Sequence, residues 1–327
     1  MVASSNAVGS LRDAVPLRGG ERRSRPTGMV DARNAGARRG PNAPPLGYDL
    51  RVPTALHRAG SGSPMLLIHG FSASCGIWRP LLPTLEQHHD VLAATLLGHA
   101  GGPEYLAGSP ATPDALADAL ERDMDSAGFE RAHLVGNSLG GWLALELAAR
   151  GRALSTTALS PAGGWNHGGP QTKRLGRLFR QNYRLVKLLG PRGAELMRRR
   201  RFRALALRDV ASRPAEVPAA LAVEMTQAAA ACTIYLPLLE ELTSTGFGDL
   251  AAIDSPVQIA WGTKDRILPW PAYAERFRRL APDAQWVTLE GLGHCPMLDD
   301  APLTTNTILE LTHRVDAGRG TPQPAAL

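Results

Sequence analysis

The sequence is poor in cysteine and has no long uninterrupted apolar run. Its 327 residues include three cysteines, Cys75, Cys232 and Cys295. Three cysteines are too few for a disulfide framework, and none of them forms the Cys-x-x-Cys pair that many metal sites use. No stretch approaches the roughly 18 consecutive apolar residues that a membrane span needs. We therefore predict a reducing, cytoplasmic location, with no membrane span and no metal.

Positive charge is concentrated at the beginning of the chain. The formal net charge is +6, and residues 1–47 contain eight arginines against three acidic residues. This segment is rich in Gly, Pro, Ser and Asn and has no apolar periodicity, which predicts a disordered basic tail. A basic tail differs from the basic groove that tracks phosphates, so no nucleic-acid partner is expected. Residues 317–327 are predicted to form a flexible C-terminal tail.

Strand and helix patterns alternate through residues 48–160 and again after residue 250. Short apolar runs typical of buried strands occur at 64–69, 90–97, 131–135, 154–159, 256–261 and 285–289. Helical patterns occur at 76–88, 112–127, 139–150, 270–280 and 301–315. Thr112-Pro113 is a helix-start signal, and Gly128 is a helix-stop signal. Strands that alternate with helices indicate βαβ units and a parallel sheet.

Residues 161–250 interrupt this alternation. They show helical patterns at 171–189, 193–207, 218–230 and 233–243, with almost no strand signal. We therefore predict an α/β fold in which 48–160 and 251–316 build a mostly parallel sheet flanked by helices. Residues 161–250 are predicted to be an inserted helical cap. This segment holds 14 basic and 7 acidic residues, so we expect a basic cap on an acidic core.

One serine lies at a strand-to-helix turn with glycines on both sides. The segment Gly136-Asn-Ser138-Leu-Gly140-Gly141 follows a predicted buried strand and opens a predicted helix. This context predicts a nucleophile elbow, in which the serine hydroxyl is presented above the sheet. Gly136 and Gly140 are expected there because a Cβ atom at either position would collide with neighbouring backbone. The other interpretation is a glycine-rich turn with a surface serine or a phosphate site.

A serine hydroxyl needs a base, and the base needs a carboxylate that orients it. His294 follows the last predicted strand, and Asp265 follows the strand before it. The carboxyl ends of parallel strands share one edge of a sheet, so both side chains are expected beside Ser138. His99 is a weaker candidate base because no acidic residue stands in the right place. Taken alone, His294 could be structural and Asp265 could cap a turn.

The tetrahedral intermediate of acyl transfer needs hydrogen-bond donors for its oxyanion. The segment His69-Gly70-Phe71 ends the first core strand, where a backbone N–H can turn toward the nucleophile. We predict an oxyanion hole formed by the backbone N–H groups of Phe71 and Leu139. The alternative is that the His-Gly-Phe segment is only a strand exit. His69 is predicted to be structural rather than a second base.

Together these segments resemble the α/β-hydrolase superfamily over residues 48–316. The matching segments are His69-Gly-Phe71, Gly98-His-Ala-Gly101, Gly136-Asn-Ser-Leu-Gly140-Gly141, Gly262-Thr-Lys-Asp265 and Gly293-His294. The resemblance implies that residues 161–250 cover the pocket and that no metal or organic cofactor is used. Thr95 stands where the family commonly has an aspartate, outside the proposed triad. Subfamilies with an aspartate nucleophile, such as haloalkane dehalogenases and epoxide hydrolases, are disfavoured because Ser138 occupies the elbow.

The cap and its neighbours offer candidates for substrate binding. Trp142, Trp165 and Ile267 are predicted pocket residues because they neighbour the proposed site in sequence. Residues 171–189 carry an apolar stripe, which is typical of core packing; lining an acyl pocket is the other interpretation. Residues 198–203 contain five arginines, a pattern typical of a solvated helix face. The sharper hypothesis is that they attract an anionic acyl carrier or an anionic substrate.

Three classes of function remain open. The first is hydrolysis of the carboxylic ester, thioester or lactone bond of a small acyl substrate, through an acyl-enzyme on Ser138. The second is acyl transfer, perhydrolysis or carbon–carbon bond hydrolysis with the same triad. The form Gly-Asn-Ser-x-Gly-Gly is similar to that of carbon–carbon bond hydrolases, but their glycine-rich oxyanion loop is missing after Gly70. The third is a ligand receptor that keeps the fold without catalysis.

Overall fold

Seven strands form one sheet in the order β1-β3-β2-β4-β5-β6-β7 in the computed structural model, which describes residues 56–319. The strands are β1 (Leu56–Gly60), β2 (Ser63–Ile68), β3 (His89–Ala94), β4 (Ala132–Asn137), β5 (Ala153–Leu159), β6 (Val257–Gly262) and β7 (Gln285–Leu289). β1 runs antiparallel to β3, and the other neighbouring strands are parallel. The predicted mostly parallel sheet is therefore confirmed. The predicted tail at 1–47 lies outside the described residues.

Apolar side chains cover both faces of the sheet. Successive strand residues point to opposite faces. Accordingly, Leu66 and Leu134 belong to one buried cluster, whereas Met65 and Val135 belong to the other. Parallel sheets need this two-sided cover because their helical crossovers lie on both faces. This explains why the strands appear in the sequence as continuous apolar runs rather than as alternating ones.

Residues 56–319 contain ten α-helical segments. They are α1 (Leu82–Leu85), α2 (Pro113–Ala127), α3 (Leu139–Ala149), α4 (Pro170–Leu196), α5 (Arg200–Ala206), α6 (Ala219–Ala231), α7 (Tyr235–Ser244), α8 (Phe277–Leu280), α9 (Pro296–Asp299) and α10 (Ala301–Arg319). The predicted limits of α2 are confirmed. The Thr112 hydroxyl accepts a hydrogen bond from the N–H of Ala115 at 3.1 Å, and Gly128 has a φ of 77°. These are the N-cap and left-handed C-cap geometries.

Some predicted elements near the ends of the core differ from the structure. The helix predicted over 76–88 is a 3-10 turn at Cys75–Trp78 followed by α1, because Pro80 lacks the N–H that a continuous helix needs. β1 was not predicted, since it is a short, half-exposed edge strand without an apolar run. The helix predicted over 270–280 is reduced to α8. α10 continues to Arg319, so the beginning of the predicted C-terminal tail is helical.

The predicted cap, residues 161–250, holds α4 to α7 between β5 and β6. α4 packs against α6 and α7. Gly190 has a φ of 51° and a ψ of −139°, and Pro191 follows it, so α4 is kinked at this point. The helix predicted over 193–207 is instead divided between the end of α4 and α5. By length and apolar composition, no individual helix within 56–319 could cross a membrane; α6 and α7 qualify only as a pair bent by 77°.

A buried ion pair joins the cap to the core. The guanidinium of Arg79, next to the 3-10 turn, makes two hydrogen bonds to the carboxylate of Glu224 on α6, with 3.0 Å between Nη2 and Oε1. Both residues are buried. At a separate place, Arg174 of α4 donates to the carbonyl oxygens of Arg266 and Ile267 after β6, at 2.6 and 2.8 Å. Charged groups therefore link the cap to the core at these two places and at others, such as the Asp299 carboxylate, which accepts the N–H groups of Ser212 and Arg213.

Candidate active site

Ser138 occupies the sharp turn between β4 and α3. Its backbone has a φ of 57° and a ψ of −117°, a strained conformation for a residue with a side chain. The N–H of Ser138 donates to the carbonyl of Leu159 at 3.0 Å. Its own carbonyl accepts from the N–H groups of Trp142 and Ala162, at 3.1 and 2.9 Å. These backbone bonds hold the strained turn, and Ser138 lines a cavity at the end of the strand.

Glycines let three backbone segments approach each other at this turn. A Cβ atom on Gly136 would overlap the carbonyl of Gly140, and one on Gly140 would overlap the carbonyl of Ile68 on β2. The backbones of β4, α3 and β2 are therefore too close for a side chain at either position. A Cβ atom on Gly141 would lie 2.9 Å from the Cβ of Pro161, which accounts for the third glycine.

His294 and Asp265 form a buried hydrogen-bonded pair, with 2.8 Å between Nδ1 and Oδ2. The other oxygen of Asp265 accepts the N–H groups of Ile267 and Leu268, at 2.9 and 2.8 Å. An ionised carboxylate only accepts hydrogen bonds, so we assign the imidazole proton to Nδ1. Nε2 has no hydrogen-bond partner within residues 56–319. The ring is therefore held in the tautomer that a general base needs.

Asn137 ties the histidine loop to the serine turn. Its Nδ2 donates to the backbone carbonyls of His294 and Leu159, at 2.9 and 3.1 Å, and its Oδ1 accepts from the thiol of Cys295 at 3.3 Å. The residue before Ser138 thus holds the backbone that carries His294. Sequence analysis missed this role, and the only available signal was the polar residue beside the serine.

Ser138 and His294 line the same cavity. The serine hydroxyl makes no hydrogen bond to another group of the described chain. Catalytic hydrogen bonds are often long in an empty site and tighten when substrate binds. The structure thus brings together the three residues that the sequence predicted as a triad, with the base–acid contact formed and the serine–base contact open.

The Gly70–Phe71 peptide lies beside Ser138, with its carbonyl held by His69. The carbonyl of Gly70 accepts a hydrogen bond from Nδ1 of His69 at 2.7 Å. Because a trans peptide points its N–H away from its carbonyl, the Phe71 N–H faces the opposite direction. A Cβ atom on Gly70 would lie 3.2 Å from the Cβ of Ser138, so this peptide borders the nucleophile.

The N–H of Leu139 is the second predicted donor. Leu139 is the first residue of α3, where the N–H groups of a helix have no intrahelical partner. Neither this N–H nor that of Phe71 donates to another group of the described chain. Both residues also line cavities that include Ser138. The two donors are therefore available to an oxyanion formed at the serine.

Two further histidines beside the site are buried. His69 accepts the N–H of Leu96 at Nε2, at 3.0 Å, and its other nitrogen holds the Gly70 carbonyl. Burial, with a smaller contribution from the neighbouring His99, lowers the pKa of His69 to about 3. Burial likewise lowers the pKa of His99 to about 4. Both rings are neutral at physiological pH, and the contacts of His69 fit a structural role.

An apolar cavity of about 240 Å³ lies under the cap and includes Ser138. The apolar stripe of α4 lines it, so this stripe faces the cavity and does not serve core packing alone. The stripe residues concerned are Leu178, Phe179, Leu185, Val186 and Leu189. The far wall comes from the end of α4 and from α5 and α6. It includes Met197, Phe202, Ala206, Met225 and Ala229.

A smaller cavity of about 50 Å³ also includes Ser138. Phe71, Phe179 and Ile267 line both cavities, so these side chains border the two spaces around the serine. Asp209 is the one Asp or Glu side chain in the two linings, and no lysine or arginine of the described chain contributes to either. A buried charge needs a partner of opposite sign, so the site suits uncharged apolar groups.

The three predicted pocket residues have different positions. Ile267 lines both cavities, and Trp165 lines the smaller one. Trp142 lines neither cavity, so its prediction as a pocket residue is wrong. Its ring packs against Phe247 and Phe277, and it is 1% exposed. Trp142 was predicted because it is close to Ser138 in sequence. Successive side chains of α3 nevertheless leave the helix in different directions.

A polar cluster lies at the opposite edge of the sheet. One ligand atom from each of His89, His133 and Asp316 falls within 4.8 Å of the others, a spacing that could hold a metal ion. The imidazole nitrogens nevertheless have protein partners. His89 bonds to two hydroxyl groups at 2.9 and 3.0 Å, and His133 bonds to a hydroxyl group and to Asp316 at 2.7 and 3.1 Å. These hydrogen bonds account for the cluster as part of the fold, and we assign no metal to it.

Known proteins resemble this chain in sequence and in fold. A profile of the "Alpha/beta hydrolase family" matches residues 65–305. Epoxide hydrolase EphH of Mycobacterium tuberculosis is 33% identical over 186 residues, which cover 56% of this chain and 87% of that protein. The 2-hydroxymuconate semialdehyde hydrolase of Pseudomonas sp. is 35% identical over 115 residues, covering 33% of this chain and 40% of that protein. The structure of carboxylesterase CesB from Bacillus subtilis has a TM-score of 0.58 at 18% identity, covering 79% of this chain and 86% of that one.

Proposed function

Because this chain belongs to the alpha/beta hydrolase family, we propose that it is a serine hydrolase. The proposed reaction is cleavage of a carboxylic ester, thioester or lactone through an acyl-enzyme on Ser138. One observation carries the proposal: the strained Ser138 shares a cavity with His294, whose ring is oriented by a 2.8 Å hydrogen bond to Asp265. A nucleophile, a base and an orienting acid are the minimum set for this chemistry.

The proposed cycle begins when Nε2 of His294 accepts the hydroxyl proton of Ser138. The serine oxygen attacks the substrate carbonyl, and the N–H groups of Phe71 and Leu139 donate to the oxyanion. His294 returns the proton to the leaving alcohol or thiol, and the acyl group stays on the serine. Water then attacks the acyl-enzyme with the same nitrogen as base, which releases the acid and restores the hydroxyl. Asp265 stabilises the imidazolium in both halves of the cycle.

Epoxide hydrolysis does not fit this nucleophile, although one relative bears that name. Attack of a serine oxygen on an epoxide carbon would form an ether, which offers water no carbonyl to attack. An acyl-serine is an ester and can be hydrolysed. We therefore expect no turnover of epoxides through Ser138.

Carbon–carbon bond hydrolysis is the second candidate function. The relative named 2-hydroxymuconate semialdehyde hydrolase and the Gly-Asn-Ser-x-Gly-Gly turn favour it. The cavities argue against it, because the described lining has no lysine or arginine to hold a substrate carboxylate. An uncharged ester with an apolar acyl group therefore fits better. A cytoplasmic location, the absence of a cofactor and an anionic carrier at the cap stay predictions.

Labelling and turnover test this proposal together. The wild-type protein should react with a serine-directed fluorophosphonate and hydrolyse p-nitrophenyl esters. Ser138→Ala should lose both, with kcat lower by about 10⁶-fold if the triad behaves as in a serine protease. Ser126→Ala, which removes an exposed hydroxyl on α2, is the matched control and should change neither.

Competing nucleophiles separate the remaining alternatives. Adding an alcohol or peroxide during ester turnover should leave the free acid as the main product; a transesterified or peracid product would instead indicate acyl transfer or perhydrolysis. A wild-type protein that resists the fluorophosphonate would indicate a receptor and would contradict the proposal.

A further inference from the structure

The first half of the cap is unusually basic. Residues 170–208 contain thirteen lysines and arginines and a single acidic residue, Glu195. Five exposed arginines of this segment make no side-chain hydrogen bond or ion pair within residues 56–319. They are Arg184, Arg192, Arg199, Arg200 and Arg201. In the core, by contrast, Arg150 has several acidic partners. It forms ion pairs with Asp118, Glu121 and Glu146.

Exposed leucines lie among these cations. Leu188 on α4 is 82% exposed, and Leu185, one helical turn before it, is 52% exposed. Leu205 on α5 is 61% exposed. Residues three apart on a helix share a face, so Leu185 and Leu188 present a joint apolar surface. We name these three leucines and the five arginines the cationic cap face.

The cavity opens at the cationic cap face. Leu185 lines the cavity and is half exposed, so the cavity reaches the surface at α4. Phe202 and Ala206 of α5 line the same cavity, and Leu205 lies between them in sequence. Both helices of the cationic cap face therefore contribute to the mouth that leads toward Ser138.

We propose that the cationic cap face docks on an anionic phospholipid surface, with the cavity mouth turned toward the lipid. Arginines can pair with lipid phosphates while the leucines enter the boundary between headgroups and acyl chains. A soluble anionic carrier would use the arginines but would leave the leucines in water. Residues 1–47 are themselves net basic, so charge complementarity does not favour them as the occupant.

Vesicle co-sedimentation of the full-length protein tests this docking. Vesicles of phosphatidylcholine with about a quarter phosphatidylglycerol should bind it, and pure phosphatidylcholine vesicles should bind it far less. Binding to the mixed vesicles should weaken in high salt, because salt screens the cations. The combined change R199Q/R200Q/R201Q should reduce partitioning by about five-fold per cation, on the order of 100-fold in all.

The leucines distinguish a lipid surface from a soluble anion. Leu188→Ser with Leu205→Ser should reduce vesicle binding by roughly ten-fold or more, because the apolar insertion is lost. Leu303→Ser, at an exposed leucine of α10, is the matched control and should not change binding. None of these residues lines either cavity that includes Ser138, so hydrolysis of a short soluble ester should stay unchanged in every variant.

Two results would overturn the docking proposal. One is failure of the wild-type protein to bind the anionic vesicles. The other is loss of binding in the arginine variant with no loss in the leucine variant, which would indicate a soluble anionic partner or the acidic surface of a second copy. Ser138→Ala should bind vesicles like wild type, so a failure of the proposed hydrolase activity would not be mistaken for a failure of docking.

Discussion

The core and the cap position their functional groups by different physical means. In the core, the geometry of the backbone fixes the position of Ser138. Ser138 sits in a turn that Gly136 and Gly140 make sterically feasible. In the cap, many apolar side chains share the cavity wall, and five exposed arginines make no side-chain ion pair within residues 56–319. On the proposed function, the comparison teaches that the reaction would depend on a few atoms in the core, whereas substrate selection would be distributed over the cap.

Asp265→Asn should separate the two regions most strongly. The amide can no longer accept the Nδ1 proton in the same way, so kcat should fall about 10⁴-fold, as in the protease analogue. Steady-state kinetics on one p-nitrophenyl ester would measure it. Asp209→Asn, which changes the acidic residue lining the cap side of the cavity, is the control and should cost ten-fold or less in kcat/KM. Equal losses of activity in the two variants would contradict the difference between core and cap.

Glu224→Gln should reveal how firmly the cap is attached. The change leaves the buried Arg79 guanidinium without this carboxylate, so the free energy of unfolding should fall by about 3–5 kcal/mol. Urea denaturation measures this loss. The control is Glu240→Gln in the exposed pair with Arg180, where little or no change is expected. If both variants lost the same stability, the buried junction would have no special importance.

Acid should destabilise the core through its buried histidines. Burial lowers the pKa of His89 to about 4, below the value near 6.5 of an unfolded chain. The unfolded state therefore binds the proton first, so this contribution is fully present above about pH 6.5 and is lost as the pH falls toward 4. For His89 alone the loss approaches about 3 kcal/mol. His69 and His99 add losses of the same sign.

Denaturation at several pH values between neutral and acid measures this effect. His89→Gln should flatten the decline of the free energy of unfolding with falling pH. The matched variant in the cap is His167→Gln, at an exposed histidine, and it should leave the decline as it is in wild type. If His89→Gln did not alter the decline of the free energy of unfolding, groups other than His89 would cause the acid sensitivity.

Val186→Phe should give the smallest effect and should sharpen the role of the cap. The larger side chain would fill part of the cavity, so kcat/KM for a long-chain ester should fall by roughly ten-fold, with little change for an acetate ester. Leu188→Phe enlarges a residue of the same helix that lies outside the cavity lining, and it should change neither value. If Val186→Phe slowed both esters equally, the cap would act on the reaction rather than on selection.

The sequence predicted the sheet, the turn at Ser138 and the contact between Asp265 and His294. These features depend on short motifs and on the rule that parallel strands end at one edge. The catalytic roles of these residues remain predictions. The edge strand β1 was not predicted, because its formation depends on pairing with β3. An isolated sequence segment does not reveal such pairing.

Long-range side-chain contacts were also beyond prediction. Arg79 and Glu224 are 145 residues apart, and nothing local to either position indicates a partner. The apolar stripe on α4 could not be assigned to a pocket from the sequence, because packing and lining a pocket need the same side chains.

The kink in α4, by contrast, has a clear signal in the sequence, because Gly190 is followed by a proline.

The strand order also affects the protein while it is being made. Ser138 follows the central strand β4, whereas Asp265 and His294 follow the two strands at the far edge, β6 and β7. After the serine, about 150 residues remain to be translated before the histidine, which takes on the order of ten seconds at roughly 5–20 residues per second. During that interval a growing chain on the ribosome has Ser138 without His294. On the proposed mechanism, newly made protein should therefore stay inert toward esters until β7, the strand that precedes His294, joins the sheet.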